Sequence, residues 1–433
     1  MNGCLFLLGV LLSFQQSLYS QRFLSIEIGD GGPSQDYSAS LVQNKAMGMN
    51  ATRHFLHWSQ LEPDSGTYDF ESTFMWAPAF FRQAGLKIIF YINPINTNIK
   101  EVPADLKNTA WDDPRMIQRF NRLLDTVVTY LGEETVYFSI GNEVDAYLTS
   151  AAEYGRYQYF FEQTAAHLKL LRPDIATGIA VQFGHFLNSI FKVNLIQLHD
   201  QADVLIGTYY GIEGDSVPLP EKVEWVMDSV LHLIPGKPVL FSELGYPSSS
   251  LLKSSELKQA DFISSSFKAW EKHQNEIVFI NFFKEWEWTR AEVEVFTKYY
   301  GFSDPYFVAF LSTLGLHDTL GVVKAGWDRF VQETRNYGFV TIQPSVNFRP
   351  EPVLSFFPSP FTNSVDFKMD LQNFNQPVGL EIYTVAGGVA YSTLLNNQPY
   401  FHWNGQSLCA GVYIVSLMCD GQRIHPQRLI KLK

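Results

Sequence analysis

The sequence predicts an α/β protein: a (β/α)8 TIM barrel followed by a small antiparallel β-sandwich. Between residues 22 and 285, eight short apolar runs rich in β-branched residues occur, several of them separated by helix-like segments. Eight strands alternating with helices over about 300 residues is the arrangement of a TIM barrel. Beyond residue 360 the apolar pattern changes to every second residue, which is typical of antiparallel strands.

The predicted barrel strands are short, and polar turns bound each of them. They are Phe23–Ile26, Ala51–Leu56, Leu86–Ile92, Val136–Ile140, Thr177–Val181, Val204–Thr208, Pro238–Phe241 and Ile277–Phe283. Apolar residues at helical spacing predict helices over 114–131, 306–314 and 325–335. An open doubly wound sheet has the same alternation, but the count of eight and the lack of a Gly-x-Gly-x-x-Gly turn favour the barrel.

The composition favours a neutral ligand. Of the 433 residues, 46% are hydrophobic and 15% aromatic, only 18% are charged, and the net charge is −12. Proteins that bind nucleic acid or anionic membranes neutralise phosphates with basic residues, so this balance argues against both classes. Many aromatic side chains with few charges suit sugars, which present apolar faces to aromatic rings.

Residues 1–20 are predicted to be a secretory signal peptide; a buried N-terminal helix is the alternative. They contain no Lys, Arg, Asp or Glu, and a short apolar stretch from Leu5 to Leu12 is followed by polar residues. No other apolar run reaches the ~18 residues that a membrane-spanning helix requires, so no membrane span is expected. We therefore expect a secreted protein.

Prolines mark the predicted boundary between two domains. Five of them fall between residues 344 and 360, and such a cluster stiffens a chain and excludes a helix. Residues 343–358 are therefore predicted to be a linker between a barrel domain, 21–342, and a β-sandwich domain, 359–433. Gly387-Gly388 and Asp420-Gly421 provide hairpin turns for the sandwich.

Two glutamates follow apolar runs at the ends of predicted strands, Glu143 after the fourth and Glu243 after the seventh. The active site of a TIM barrel lies at the C-terminal ends of its strands, so both carboxylates are expected on the same face. Two carboxylates are the minimum for glycosidic bond cleavage. One stays protonated and donates to the leaving oxygen, and the other is ionised.

The motifs around these glutamates resemble those of the retaining glycoside hydrolases of clan A. Asn142-Glu143 after the fourth strand and Glu243 after the seventh carry the resemblance, together with Trp58-Ser59-Gln60-Leu61-Glu62-Pro63 and Gly315-Leu316-His317-Asp318. The resemblance covers roughly residues 22–340. It implies that Glu143 is the acid/base, that Glu243 is the nucleophile, and that Asn142 binds the sugar 2-hydroxyl.

Within the clan, two motifs are most similar to those of the endo-β-1,3-glucanases, which implies a β-1,3-glucan substrate: Gly141-Asn142-Glu143-Val144 and Ser242-Glu243-Leu244-Gly245-Tyr246-Pro247-Ser248. The pattern is also similar to β-1,4-galactanases and β-mannanases. A transglycosylase and a non-catalytic surface protein that binds carbohydrate stay open as alternatives. The sequence contains no Cys/His cluster with zinc-like spacing and no glycine-rich phosphate loop, so no metal and no organic cofactor is expected.

Further substrate-binding candidates follow from their positions. Arg53 lies within the second strand, where an inward side chain would hold the nucleophile ionised through a charge-assisted hydrogen bond; an outward salt bridge is the alternative. Tyr209 and Tyr210 end the sixth strand, next to the seventh, and one of them is expected to donate to Glu243, with Tyr210 slightly preferred. Three tryptophans are candidates for stacking on sugar rings, or else belong to the core: Trp58, Trp286 and Trp288.

Residues 359–433 also resemble a specific module. Trp403-Asn404-Gly405, Gly411-Val412-Tyr413 and the terminal Leu429-Ile430-Lys431-Leu432-Lys433 are similar to the type A sorting domains of the type IX secretion system. The resemblance implies that the type IX secretion machinery is a partner. It also implies export across an outer membrane to the medium or the cell surface, and no role in catalysis.

Overall fold

A computed structural model describes residues 22–29, 37–340, 353–357, 361–370, 378–384, 388–395, 398, 400–419 and 422–432. The predicted signal peptide, 1–20, and residues 343–352 of the predicted linker lie outside the described residues. The chain divides into two compact units, Met1–Thr341 and Ile342–Lys433.

Within residues 22–29 and 37–340, the first unit forms a barrel of eight parallel strands. They are β1 (Phe23–Ile26), β2 (Ala51–His57), β3 (Lys87–Asn96), β4 (Thr135–Asn142), β5 (Ala176–Gly178 and Ala180–Gln182), β6 (Leu205–Tyr209), β7 (Val239–Leu244) and β8 (Ile277–Phe282). Hydrogen bonds join them into two arcs, β1–β8–β7–β6–β5 and β2–β3–β4–β5. Asn50 links the arcs, because Leu24 N donates to Asn50 Oδ1 (2.8 Å) and Asn50 N donates to Leu24 O (3.0 Å). The predicted (β/α)8 barrel is confirmed, and the open sheet is not formed.

Helices follow the strands. They are α1 (Tyr37–Ala46), α2 (Trp58–Leu61), α3 (Ala77–Gln83), α4 (Pro114–Val127), α5 (Ala151–Leu171), α6 (Phe183–Asn188), α7 (Lys192–Leu198), α8 (Lys222–Leu233), α9 (Glu256–Lys272), α10 (Arg290–Tyr300), α11 (Pro305–Ser312) and α12 (Ala325–Asn336). Shorter elements are the 3-10 turns Ala104–Leu106, Val128–Tyr130, Val144–Ala146 and Ser250–Leu252, and a two-residue strand, Ile99–Lys100, that pairs with β3. None of the helices in the described ranges is long and apolar enough to cross a bilayer.

Helix α4 shows why the apolar spacing predicts these elements. Asp113 caps it by accepting a hydrogen bond from Arg115 N (2.8 Å), and Pro114 occupies its first turn. Its buried side chains are three and four residues apart: Met116, Phe120, Leu123, Leu124 and Val127. The α-helix ends at Val127, short of the predicted residue 131, because residues 128–130 tighten into a 3-10 turn.

The core of the barrel unit has two layers, because successive side chains of a strand point to opposite sides. Ile89 and Tyr91 pack inside the barrel. Ile88 and Phe90 of the same strand pack between the barrel and its helices. Both faces of β3 are therefore buried, as its continuous apolar run predicts for a strand of a parallel sheet.

The second unit is a small antiparallel β-sandwich. One sheet has the order β9 (Val353–Phe357), β10 (Ser364–Asp370) and β13 (Tyr400–Asn404). The other contains β12 (Val389–Leu394), β11 (Gly379–Thr384), β14 (Gly411–Cys419) and β15 (Gln422–Lys431), in that order. Side chains of both sheets form one core, which includes Val365, Phe367, Leu380 and Val415.

The linker prediction is wrong for residues 353–357. They form β9, which pairs antiparallel with β10 from Val353 opposite Asp370 to Phe357 opposite Asp366. The prolines on both sides suggest a linker, but the segment between them, Val-Leu-Ser-Phe-Phe, contains no proline. Each of its residues can therefore donate to a neighbouring strand, and Leu354 is buried in the sandwich core.

Candidate active site

Glu143 and Glu243 line one cleft at the C-terminal ends of the barrel strands. The cleft has a volume of about 1120 Å³. Each glutamate is 8% exposed, so both carboxylates are reachable from the cleft but surrounded mainly by protein. A desolvated charge is costly unless it is compensated. The hydrogen-bond partners of each carboxyl therefore determine how stable its charged form is.

A β-bulge turns Glu243 into the cleft. Leu240 of β7 packs inside the barrel and Phe241 outside, so strict alternation would point Ser242 inward and Glu243 outward. In the pairing with β6, however, Gly207 lies opposite Phe241 and the next residue of β6 lies opposite Glu243, so Ser242 is an extra residue. This bulge restores the inward direction for Glu243, a common role of bulges beside active sites.

Arg53 and Tyr210 hold the two oxygens of Glu243. Arg53 Nη1 donates to Glu243 Oε1, and the Tyr210 hydroxyl donates to Oε2. Ala51 and Phe55 pack inside the barrel, so Arg53, which lies between them on β2, points the same way. Burial acts to lower the pKa of Arg53, but the carboxylates of Glu243 and Glu27 outweigh it and raise that pKa, so Arg53 stays positively charged.

Tyr210 stays protonated as well, because burial and the negative charge of Glu243 raise its pKa well above the usual value. Tyr209 plays a different part. Its ring borders the cleft but stacks on Phe262 of α9, with the ring centroids 6.3 Å apart. Of the two tyrosines, the structure thus brings Tyr210 to Glu243 and places Tyr209 in the layer between the barrel and its helices.

Glu143 has neutral partners instead of a cation. Its Oε2 accepts from Thr97 Oγ1 (2.8 Å) and its Oε1 from Thr208 Oγ1 (2.6 Å). Burial, reinforced by the charge of Glu243, raises the pKa of Glu143 to about 7, although the threonine hydrogen bonds oppose this rise. The cleft thus holds one carboxyl that is protonated at mildly acidic pH and another that is paired with an arginine.

The backbone at Glu143 is left-handed, with φ of +48°, and Gly141 just before it has φ of +98°. A Cβ on Gly141 would lie 2.5 Å from the hydroxyl of Tyr157, which donates to Ile140 O (2.9 Å). Glycine at this position therefore allows β4 to end in a sharp turn that directs Glu143 over the barrel mouth.

Asn142 belongs to a chain of hydrogen bonds that reaches across the β3 end. Its Nδ2 donates to Asn96 Oδ1 (3.1 Å), and Asn96 Nδ2 donates to the hydroxyl of Tyr299 (3.0 Å). That hydroxyl in turn donates to Glu101 Oε1 (2.6 Å). The amide orientation of Asn142 is fixed by this chain, which leaves its buried Oδ1 without a protein hydrogen bond among the described residues and able to accept one from a ligand.

The structure separates the three predicted tryptophans. Trp288 lines the cleft and packs on Phe283 and Phe296, with centroid distances of 5.5 and 4.4 Å. The prediction for Trp58 is wrong, because its side chain is fully buried and donates to Glu62 Oε2 (2.9 Å). That for Trp286 is also wrong: its ring stacks on His317 at 5.1 Å, away from the residues that line the cleft.

Several residues that line the cleft are not among the predicted site residues. Phe283 is the aromatic side chain beside the Glu243 partners, since its ring lies 5.6 Å from Arg53 Cζ and 5.7 Å from the Tyr210 ring. Others that line the cleft are Glu27, His57, Thr97, His185, Tyr299 and Tyr300. Phe283 ends a predicted strand, and this position is the sequence feature that indicates a cleft residue. The two tyrosines end α10, a helix that was not predicted.

The arrangement can perform acid/base and nucleophilic chemistry. Glu143 can donate a proton at neutral pH, and the Glu243 carboxylate, which is hydrogen-bonded by Arg53 and Tyr210, can act as a nucleophile. The described residues contain no group of three or more His, Cys, Asp or Glu side chains placed to hold a metal ion.

Comparisons with known proteins relate this chain to others only through its fold. No protein-family model and no curated protein matches it. A GH5_18 protein from Bifidobacterium longum, solved in complex with Manβ1-4GlcNAc, is 14% identical over 73% of this chain and 79% of that one, with a TM-score of 0.57. An exo-β-1,4-mannosidase from Opitutaceae bacterium strain TAV5 is 17% identical over 76% and 64%, with a TM-score of 0.57.

A family 39 glycoside hydrolase from Bacteroides cellulosilyticus is 12% identical over 89% of this chain and 80% of that one, with a TM-score of 0.52. Identities this low show a shared fold, the (β/α)8 barrel. Any conclusion about function therefore depends on the residues that line the cleft of this chain.

The raised pKa of Glu143 predicts that this residue destabilises the fold at alkaline pH. Its pKa rises from an unfolded value of 4.5 to about 7, so stability is lost as pH rises through this window. Glu143→Gln should therefore increase the free energy of unfolding by about 3 kcal/mol at about pH 8, and change it little at about pH 4. Urea denaturation of the full chain at both pH values measures this.

Glu224, which is half-buried and pairs with Lys268 (2.9 Å), provides the control. Glu224→Gln should change the stability by less than about 0.5 kcal/mol at either pH. An equal effect of Glu143→Gln at both pH values would contradict the assigned environment of Glu143.

Proposed function

We propose that the barrel unit is a retaining glycoside hydrolase, in which Glu143 is the acid/base and Glu243 the nucleophile. Glu143 protonates the glycosidic oxygen while Glu243 attacks the anomeric carbon, so that a covalent glycosyl-enzyme forms and the leaving group departs. Glu143, now ionised, then takes a proton from a water molecule while the water oxygen attacks the anomeric carbon. The bond from that carbon to Glu243 breaks, and the sugar is released with its original configuration.

The observation that supports this proposal is that the two carboxylates of the cleft have different hydrogen-bond partners. Arg53 and Tyr210 both donate to Glu243. Glu143 is left with two threonines and a pKa of about 7. Two carboxyl groups in such different surroundings, one with neutral partners and one paired with an arginine, are the pattern of an acid and a nucleophile in one site.

The substrate is proposed to be a β-linked polysaccharide or oligosaccharide. The motifs around Glu143 and Glu243 favour β-1,3-glucan, with β-1,4-galactan and β-mannan as alternatives. A β-mannoside is also what two of the similar structures contain or are named for. A panel of β-1,3-, β-1,4- and mixed-linkage glucans, galactan and mannan, with the products separated by chromatography, decides among these linkages.

Removing either carboxylate should abolish turnover. Glu143→Gln and Glu243→Gln are each expected to lower kcat/KM on a polysaccharide by at least about a thousandfold, because proton transfer and nucleophilic attack are separately lost. Circular dichroism should show an intact fold, and Glu224→Gln should keep full activity. Near-normal turnover in either active-site variant would refute the assignment. Binding without any release of reducing ends by the natural chain would instead identify a non-catalytic carbohydrate-binding protein.

The pH profile should report the state of Glu143. Because Glu143 must be protonated to act, kcat/KM should fall as pH rises through about 7. Thr208→Val removes a hydrogen bond that favours the ionised form, so it should raise the pKa and move this alkaline limb upward by about one pH unit. Thr208→Ser keeps a hydroxyl and should keep the limb in place. An unmoved limb in Thr208→Val would show that another group controls it.

We further propose that residues 1–20 direct export and that residues 359–433 are a type IX sorting domain. The support is the sequence resemblance, together with the folding of residues 342–433 as a separate compact unit. In a bacterium with this secretion system, ending the chain at residue 342 should leave the enzyme inside the cell envelope. Undiminished activity outside the cell would contradict the sorting role.

A further inference from the structure

Helix α10, Arg290–Tyr300, runs across the barrel mouth from the β8 side to the β3 side, and we call it the strap helix. It begins shortly after β8, where Trp288 packs on Phe296 with a centroid distance of 4.4 Å. Its first turn is fixed by a capping box between Thr289 and Glu292. The position of its N-terminal end is thus set by the β8 side of the barrel.

The C-terminal end of the strap helix is tied to the β3 side. The hydroxyl of Tyr299 accepts from Asn96 Nδ2 (3.0 Å) and donates to Glu101 Oε1 (2.6 Å). Asn98 Nδ2 donates to Tyr300 O (2.9 Å). Glu101 is only 8% exposed, so the hydrogen bond from Tyr299 is made to a poorly solvated carboxylate and is strong. The helix is therefore anchored at both ends.

Between its two anchors the strap helix covers the β1 and β2 side of the cleft. The order of strands around the barrel from β8 to β3 passes through β1 and β2. Under this path lie Glu27, which follows β1, and Arg53 and His57 of β2, all of which line the cleft. The ring of Tyr299 lies 6.1 Å from that of His57. Arg53 has a side-chain exposure of only 7%.

The opposite side of the cleft is also open to solvent. His185, which follows β5, also lines the cleft, and its side chain is 41% exposed although it bonds to Asp145 (2.6 Å). Ile212, in the loop after β6, lines the cleft as well and is 39% exposed. A substrate longer than the covered part can therefore leave the cleft over β5 and β6.

The proposed roles of the two carboxylates orient a sugar chain between these sides. The nucleophile attacks the sugar that is transferred, and the acid protonates the oxygen of the part that leaves. Glu243 is bound by Arg53 from the covered side and by Tyr210, which follows β6. Glu143 is bound by Thr208 of β6, toward the open side, and by Thr97, which follows β3. Because Glu27 and Arg53 line the covered wall beside the nucleophile, the arrangement proposed below has the transferred sugar under the strap helix and the leaving part over β5 and β6.

Glu27 gives the covered end a means of recognising a terminal sugar. Its Oε2 accepts from Arg53 Nε (3.4 Å) and Asn281 Nδ2 (3.2 Å), which fixes the carboxylate at the wall of the cleft. Its side chain is 27% exposed, so it can accept hydrogen bonds from hydroxyls. A sugar in the middle of a chain has one of these hydroxyls replaced by a further sugar, and a terminal sugar does not.

We propose that the strap helix closes the cleft beyond the transferred sugar, so that the enzyme acts on chain ends and removes sugars from the non-reducing terminus. This inference rests on the proposed function. It assigns the strap helix and Glu27 to the recognition of a free terminal sugar. It differs from the endo-acting mode that the sequence resemblance implies.

The test compares oligosaccharides with free and with blocked non-reducing ends. The probes are a β-1,3-linked glucose pentasaccharide and a β-1,4-linked mannose pentasaccharide, both labelled at the reducing end, each with and without a 4,6-O-ethylidene cap on the terminal sugar. The natural chain should shorten the free form stepwise from its unlabelled end and hydrolyse the capped form at least about a hundredfold more slowly. Comparable rates on both forms, with internal cleavage, would overturn the proposal.

Variants of the strap helix sharpen this test. Tyr299→Phe removes both hydrogen bonds of its hydroxyl and should raise hydrolysis of the capped form relative to the free form by about tenfold. Tyr306→Phe makes the same change in the next helix, at a side chain that does not line the cleft, and should leave the ratio unchanged. An unchanged ratio in Tyr299→Phe would contradict the role of the strap helix.

A different experimental result would show that the proposed hydrolase function itself is wrong. If neither pentasaccharide is hydrolysed in either form, and no polysaccharide of the linkage panel is, the hydrolase assignment is wrong. Calorimetry with the same four probes still tests the closed end in that case. Binding that requires a free terminal sugar supports it, and equal or absent binding of free and capped probes contradicts it.

Discussion

Two carboxylates share one buried cleft, and a second negative charge beside a first is unfavourable where water is scarce. The ion pair between Arg53 and Glu243 resolves this conflict in favour of one of them. Because Arg53 compensates Glu243, that carboxylate can stay ionised, and its charge then helps to keep the proton on Glu143. The chemistry proposed for the cleft follows from this single asymmetry, and the asymmetry follows from which side chains of β2 and β7 point inward.

The backbone supplies those directions by two different means. On β2, simple alternation places Arg53 inside the barrel with Ala51 and Phe55. On β7, alternation alone would turn Glu243 away, and the extra residue Ser242 corrects it. The bulge is buried and held, since Ser242 Oγ donates to Gly207 O (3.2 Å). The bulge is thus part of the buried core, and its effect is to direct the Glu243 side chain into the cleft.

The fold was predictable from the sequence to the extent that burial leaves a periodic pattern. All eight strands occur within a few residues of the predicted runs, because both faces of a barrel strand must be apolar. The strap helix was not predicted although Val293, Phe296 and Tyr300 recur at helical spacing, and only Val293 of its eleven residues is buried. Strand β9 was missed because prolines on both sides of it outweighed its own apolar residues.

The site was predictable where it depends on strand ends and unpredictable where it depends on tertiary contacts. Strand order brings Glu143 and Glu243 together, and the position of Arg53 within a strand was enough to nominate it. Trp58 follows a strand just as they do, but a hydrogen bond to Glu62 holds it in the core. Nothing in the sequence distinguishes such a residue from one that faces the cleft. The Thr97 and Tyr299 contacts join segments far apart in the chain and have no local signal.

The central claim is that Glu243 forms a covalent bond to the sugar, and trapping that intermediate tests it most directly. A 2-deoxy-2-fluoro glycoside of a sugar that the enzyme hydrolyses slows release of the glycosyl-enzyme more than its formation. Peptide mass spectrometry of the inactivated protein should then find one fluoroglycosyl group, on the peptide that contains Glu243. A label on Glu143 or on another side chain, or continued turnover with no labelled peptide, would contradict the account.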